Sequence, residues 1–283
     1  MATIEYMPAR LALKETEELR QAVACLEGTT FAQRLTDAVG RPVGMLSRAM
    51  PPSARRVIAH VSETALRGAL KLALRTLDLN ASTKPANRAH KLAAAASGAV
   101  GGALGLAALP FELPISTTIL LRSIAEIARE EGEDLSAPEA AFACVEVFAL
   151  GGQGGGESAF ESGYFTVRAA LAKSVSDSAR FVATEGVTAQ AAPVIARLIS
   201  QIASRFGVVV SEKLAAQAAP ILGAIGGAAV NAAFADHFQT LARGHFIVRR
   251  LERQHGASVV AFEYQRLQGE RVREHAESRR AAS

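Results

Sequence analysis

Residues 92–121, LAAAASGAVGGALGLAALPFELPISTTILL, form an apolar stretch in which Glu112 is the only charged residue. A second uncharged stretch occupies residues 214–235. Both are rich in alanine, the best helix former, and amphipathic helical patterns lie before and after them. Residues 92–111 of the first stretch and residues 214–235 each supply about the twenty residues that a helix needs to cross roughly 30 Å of hydrocarbon. The fold therefore depends on what these two stretches pack against.

The composition favours helices throughout. Aromatic residues make up 5% of the 283 residues, and there is no tryptophan. Small side chains allow helix backbones to approach closely, in water or in lipid. We predict an all-α fold, a multi-helix bundle with two Ala/Gly-rich apolar central helices that pack on each other. The glycines expected at this contact are Gly98, Gly101, Gly102, Gly105, Gly223 and Gly227.

Prolines and glycines predict the breaks in the helices. Pro110 and Pro114 predict a sharp turn followed by a return helix from about Thr117, and Gly207 predicts a further break. The glycine run at residues 151–156 predicts a flexible linker, since no Lys-Ser/Thr follows it as in a phosphate-binding loop.

These signals predict three parts of the chain. They are an N-terminal helical extension (1–50), a central helical bundle (51–260) and a charged C-terminal helix with a tail (261–283).

Three interpretations of the apolar stretches stay open at this stage. Leu, Ile and Phe supply most of the energy of membrane insertion, at only about −0.3 to −0.6 kcal/mol each, and Ala and Gly add little. Glu112 would be costly in hydrocarbon. The stretches can therefore be buried helices of a soluble bundle, a hairpin that inserts reversibly, or stable spans. The residues expected to contact a membrane or an apolar ligand are Leu104, Leu106, Leu109, Phe111, Leu113 and Ile115.

Isolated polar side chains predict a buried polar network. Arg122 and Glu126 are four residues apart and can pair along a helix, while Glu146 stands alone within ACVEVFAL. A buried carboxylate needs a partner or keeps its proton. The expected members of the network are Glu112, Arg122, Glu126, Glu146, Asn231, Asp236 and His237.

No catalytic motif is visible, so we predict no catalytic residues, no cofactor and no metal site. Glu112, Glu126, Glu146 and His237 could together bind a metal inside a bundle. However, a di-metal bundle uses two Glu-x-x-His motifs, and the single one here ends at His255 in a charged run. A metal-dependent enzyme is therefore the least favoured hypothesis.

The charge pattern favours a membrane surface over nucleic acid. The net charge is +4, and the basic residues alternate with glutamates along helices rather than forming a basic face. A weakly basic helical protein suits an anionic leaflet. Cys25 and Cys144 have no metal or CxxC spacing, and the first residues lack a signal-peptide pattern. These features predict a cytoplasmic location.

Three blocks resemble the EcsC protein family. They are ALPFELPISTTILLRSIAEIAREEGEDL (108–135), PEAAFACVEVFALGG (138–152) and GAIGGAAVNAAFADHFQTLARGHFIVRRLERQHG (223–256). The resemblance spans most of residues 50–260. The family is named for a bacterial gene that neighbours an ABC transporter, so the resemblance implies a membrane-linked role in transport or secretion. It supplies no catalytic residues.

The leading hypothesis is a non-enzymatic protein that associates reversibly with the cytoplasmic membrane face or with a membrane protein complex. The alternative is a soluble helical bundle that binds a lipid or another apolar ligand.

Overall fold

The computed structural model describes residues 11–40, 42–76, 105–152, 163–186, 192–218 and 223–281. Within these ranges the chain forms ten α-helices and one short 3-10 segment, and no strand. The predicted all-α, multi-helix fold is confirmed.

The helices follow one another along the chain. They are α1 (Leu13–Leu26), α2 (Phe31–Val39), α3 (Val43–Arg48), α4 (Pro52–Thr76), the 3-10 segment (Gly105–Ala107), α5 (Leu109–Glu130), α6 (Pro138–Leu150), α7 (Tyr164–Glu185), α8 (Pro193–Gln217), α9 (Gly223–His255) and α10 (Ala257–Ala281).

Contacts divide the chain into two compact units. The central unit is Thr29–Ala242, and the terminal unit combines Met1–Gly28 with Arg243–Ser283. Helix α9 contributes residues to both units. Helices α2 and α3 pack on α8 and are grouped with the central unit, and the predicted division at residues 50 and 260 stays a prediction.

Two apolar helices form the core of the central unit. Every residue of α6 from Ala140 to Leu150 is buried, as expected for a helix that is apolar on all sides. Helix α8 packs against α2, α3, α4, α6 and α7. Among the described residues, α8 alone is long and apolar enough to cross a membrane, a test that the core helix of a soluble protein also passes.

The predicted break at Gly207 is wrong, since α8 runs unbroken from Pro193 to Gln217. Apolar side chains on both sides of Gly207, among them Phe206 and Val209, are buried. Their burial outweighs the roughly 1 kcal/mol by which glycine disfavours a helix interior. A Cβ at position 207 would lie 3.9 Å from the nearest atoms, on Ile58 and Ser62.

The start of the glycine run is a packing contact. A Cβ at Gly152 would lie 2.3 Å from the Arg205 carbonyl oxygen of α8, and one at Gly151 would lie 2.9 Å from Nε2 of His237. Gly151 and Gly152 therefore let the end of α6 approach α8 and α9 closely. Residues 153–156 of the predicted linker lie outside the described residues.

The terminal unit joins α1 to α10 and to the second part of α9. A Cβ at Gly244 would meet Cγ of Leu26 at 2.7 Å, so α1 lies directly on α9 there. Glu15 contacts His255 at 2.8 Å, and Glu18 contacts Arg250 at 2.9 Å. These pairs connect the first helix to residues far along the chain.

Two alanine substitutions, one just after the end of α6 and one within α8, should have opposite effects on stability. Gly152→Ala should lower the free energy of unfolding by about 1–3 kcal/mol, because its Cβ meets backbone that cannot move independently. Gly207→Ala should raise it by about 0.5–1 kcal/mol, because the new methyl group has room in a helix interior. Urea unfolding measures both. Equal changes of the same sign would contradict the close approach of Gly152 to Arg205.

Candidate functional site

Helix α5 begins eight residues before the predicted return helix. Its N-cap is Ala108, and both prolines lie within the helix: Pro110 in the first turn and Pro114 in the second. The predicted sharp turn between the prolines is therefore wrong. Pro110 suits a first turn because the N–H that it lacks would have no partner in the helix. Pro114 cannot donate to the Pro110 carbonyl, so tertiary contacts must hold this end of α5.

The start of α5 has a buried side and an exposed side. Leu109 and Leu113 are fully buried in the central unit. Phe111 is 78% exposed and Ile115 is 54% exposed, and Leu106 in the preceding 3-10 segment is 40% exposed. We call Leu106, Phe111 and Ile115 the apolar tip.

The apolar tip covers only part of the predicted contact set. Leu109 and Leu113, which are expected to contact a membrane or an apolar ligand, are turned inward by the helical period and are buried, and Leu104 lies outside the described residues.

A buried ion pair lies behind the apolar tip. Nζ of Lys213 on α8 donates to Oε1 of Glu112 at 2.5 Å, and both side chains are almost completely buried. The Lys213 ammonium also lies 4.8 Å from the centre of the Phe234 ring on α9. The pair thus connects the start of α5 to α8, and Lys213 connects both to α9.

Burial and pairing act in opposite directions on Lys213. Removal from water lowers the pKa of its ammonium, and the carboxylate of Glu112 partly restores it. Two buried charges gain little net stability over an apolar pair of the same shape, but removing one partner leaves the other charge unpaired. The pair therefore constrains the position of α5, because any placement that separates Glu112 from Lys213 leaves an unpaired charge in the protein interior.

Phe234 belongs to an aromatic cluster in the central unit. Its ring centre lies 5.8 Å from that of Phe31, 6.1 Å from Phe206 and 5.1 Å from Phe238. Phe148 of α6 packs on Phe206 and Phe238. Three of these five pairs are edge-to-face, an arrangement that contributes about 0.5–1.5 kcal/mol per pair beyond the area buried. Through Phe234, the cluster packs against the Lys213 ammonium.

His237 is buried next to this cluster. Its ring centre lies 5.1 Å from that of Phe31. Burial lowers the pKa of His237 to about 4; the positive charge of Arg34 acts in the same direction, and a hydrogen bond with the backbone of Gly151 opposes it. His237 is consequently neutral near pH 7. The adjacent Asp236 is 52% exposed and lies 3.7 Å from Arg34 of α2.

The predicted polar network stays a prediction, although most of its expected members are buried. Glu112, Glu146, Asn231 and His237 are buried, and Glu126 is partly buried. The inclusion of Arg122 and Asp236 is wrong, because both are exposed. Successive residues of a helix point about 100° apart, so Asp236 cannot share the inward direction of His237.

The metal-dependent alternative, the least favoured of the hypotheses, gains no support from the described part of the chain. No group of three or more His, Cys, Asp or Glu side chains there is arranged to hold an ion.

The predicted glycine contact between the two apolar stretches stays a prediction. Gly98, Gly101 and Gly102 lie outside the described residues. Gly105 opens the 3-10 segment, while Gly223 and Gly227 lie in the first two turns of α9.

Two buried charged residues of α8, Glu212 and Lys213, were not among the predicted site residues. They directly precede the second uncharged stretch. An opposite-charge pair could have been predicted, because Glu112 stands alone in one apolar stretch and Lys213 lies at the edge of the other. Glu212 is also buried, and burial raises the pKa of its carboxyl group to about 7, although the positive charge of Arg48 opposes the shift.

Removal of Lys213 should test the buried pair. Lys213→Met should lower the free energy of unfolding by about 3–5 kcal/mol, because Glu112 remains buried without its partner. The double variant Glu112→Met, Lys213→Met should recover most of that loss. Lys173→Met, which removes an exposed ion pair with Asp177, should change stability by less than about 1 kcal/mol. Urea unfolding of the wild type, Lys213→Met, Glu112→Met and the double variant measures the coupling, and additive effects of the two single variants would contradict it.

Glu212 predicts a pH dependence of stability. Its pKa rises from 4.5 to about 7 in the folded state, so the folded protein holds a proton that the unfolded chain releases in this window. Stability from Glu212 is therefore lost as pH rises from about 4.5 to 7, by roughly 3 kcal/mol.

Glu212→Gln should remove this loss. The variant should match the wild type at pH 4.5 and exceed it in free energy of unfolding by pH 8. His237 has the opposite slope between pH 4 and 6.5, because its folded pKa is lowered, so the variant should gain stability with pH in that range. Urea titrations at several pH values measure the difference. A difference that does not change with pH would contradict the burial of Glu212.

Comparison with known proteins identifies the family. A search of curated proteins and a search of solved structures each found no match. The model of the EcsC protein family matches residues 5–251, which include the apolar tip, the Glu112–Lys213 pair and the aromatic cluster. The match also includes α1 to α3, which the sequence blocks did not cover. The chain belongs to the EcsC protein family.

Proposed function

We propose that this EcsC-family protein is a non-enzymatic protein that associates reversibly with the cytoplasmic face of a membrane through its apolar tip. The observation that carries the proposal is the exposure of Phe111 and Ile115, four residues apart at the start of α5. Adjacent exposed apolar side chains are typical of surfaces that contact a protein or a membrane.

The position of the apolar tip in the chain supports contact with lipid. The residues before it, from Leu92 onwards, carry no charge, so no charge in that segment opposes approach to hydrocarbon. The side of α5 opposite the tip is held by buried Leu109 and Leu113 and by the pair of Glu112 with Lys213. The tip is therefore presented by packed structure and needs no unfolding to reach a membrane.

The size of the apolar tip supports reversible association. Full burial of one large apolar side chain contributes about 1.5–3 kcal/mol. Three partly exposed side chains thus supply of order 5 kcal/mol, which is similar to the marginal binding of a single myristoyl chain. Permanent insertion requires the roughly twenty apolar residues of a spanning helix.

A vesicle flotation experiment tests the apolar tip. The double variant Phe111→Asp, Ile115→Asp should bind vesicles of mixed phosphatidylcholine and phosphatidylglycerol at least about tenfold more weakly per substituted residue than the wild type. The matched control is Leu13→Asp, Phe262→Asp, which replaces two apolar residues that are 92% and 56% exposed in the terminal unit. The control should float as the wild type does.

The same experiment can reject the proposal. A wild type that stays with the soluble fraction, or a control that loses as much binding as the tip variant, would overturn contact through the apolar tip. Thermal unfolding followed by circular dichroism checks that the variants are folded. All four substituted positions are exposed, so melting temperatures close to that of the wild type are expected.

A further inference from the structure

The exposed side of α5 continues beyond the apolar tip in a straight stripe. At 100° per residue, the positions within about 40° of Phe111 around the helix form a set of six. They are Phe111, Ile115, Thr118, Arg122, Ala125 and Arg129, all exposed or partly exposed. We call this set the exposed stripe. It begins with apolar side chains and continues with two cations.

Arg122 and Arg129 are available to an external partner. Neither guanidinium group forms a hydrogen bond or an ion pair with any residue in the part of the chain that the structure describes. This contrasts with other cations of the protein, such as Arg67 and Arg266, which pair with glutamates one helical turn away.

The exposed stripe contains no acidic residue. Glu112 points away from it into the pair with Lys213, and Glu126 lies about 60° from its centre. A helix face without acids, with apolar residues at one end and unpaired arginines along the rest, is complementary to a surface that has anionic groups above an apolar layer.

The spacing along the stripe favours a bilayer over a single soluble anion. Arg122 lies about 10 Å along the axis from Ile115, and Arg129 lies about 10 Å further. The two guanidinium groups therefore do not converge on one phosphate. A bilayer presents many phosphates in one plane with hydrocarbon beneath them, and long arginine side chains can extend to that plane.

We propose that the exposed stripe of α5 recognises anionic phospholipid headgroups, with Arg122 and Arg129 on lipid phosphates while Phe111 and Ile115 enter the apolar layer. This inference rests on the proposed membrane association and adds a lipid class and an orientation to it. Helix α5 then lies along the interface, since a helix standing on its tip would hold Arg129 about 27 Å from Phe111 along the membrane normal.

Variants in which glutamine replaces the two arginines of the exposed stripe test the recognition of anionic lipid. Binding of the full chain is measured by flotation with vesicles of phosphatidylcholine alone and with equimolar phosphatidylcholine and phosphatidylglycerol, at low and high salt. The wild type should prefer the anionic vesicles by at least about tenfold at low salt and lose that preference at high salt.

The variant Arg122→Gln, Arg129→Gln should lose about fivefold in affinity for anionic vesicles per arginine and change little on neutral ones. The matched control is Arg55→Gln, Arg56→Gln, which removes two exposed charges from α4. If affinity depended only on net charge, the control would weaken binding as much as the stripe variant does.

The outcomes separate this inference from the proposed function. Equal binding of the wild type to both vesicle types, or equal losses in the stripe variant and the control, would overturn headgroup recognition and leave the apolar tip intact. Absence of binding to either vesicle type would overturn both. Selective loss on anionic vesicles in the stripe variant alone supports the inference.

Discussion

The pairing of Glu112 with Lys213 is the constraint on which the start of α5 depends. Both charges are buried, and Lys213 lies over the ring of Phe234. Neither charge can be left alone without a cost of several kcal/mol. Because Pro110 and Pro114 remove backbone donors from the first turns of α5, side-chain contacts must hold this segment in place.

The exposed side of α5 follows from this buried side. Once Glu112 points to α8 and Leu113 enters the core, the helical period turns Phe111 and Ile115 outward. The same period then brings Arg122 and Arg129 onto the line of Phe111. A helix that is held rigidly by one face can thus present apolar and basic side chains on the other. The proposed contact with an anionic bilayer rests on this geometry of α5.

Sequence reasoning predicted part of this site for identifiable reasons. Glu112 and Glu146 stood alone among apolar residues, which predicts burial, and both are buried. The exposure of Phe111 and the burial of Leu109 could not be separated while the two prolines predicted a turn, because the side-chain directions depend on a continuous helix. Glycine has a low helix propensity and therefore predicts a break at Gly207, whereas the burial of its neighbours in α8 keeps the helix continuous.

The sequence by itself determined that the protein is helical and that apolar, small-residue helices dominate it, because alanine content and apolar periodicity act locally along the chain. It also determined the family, since blocks such as residues 108–135 carry that information directly. Only the tertiary structure decided that Glu112 meets Lys213, 101 residues later, and which side of α5 remains exposed. Pairing between distant residues depends on how the helices pack, and no local pattern encodes that arrangement.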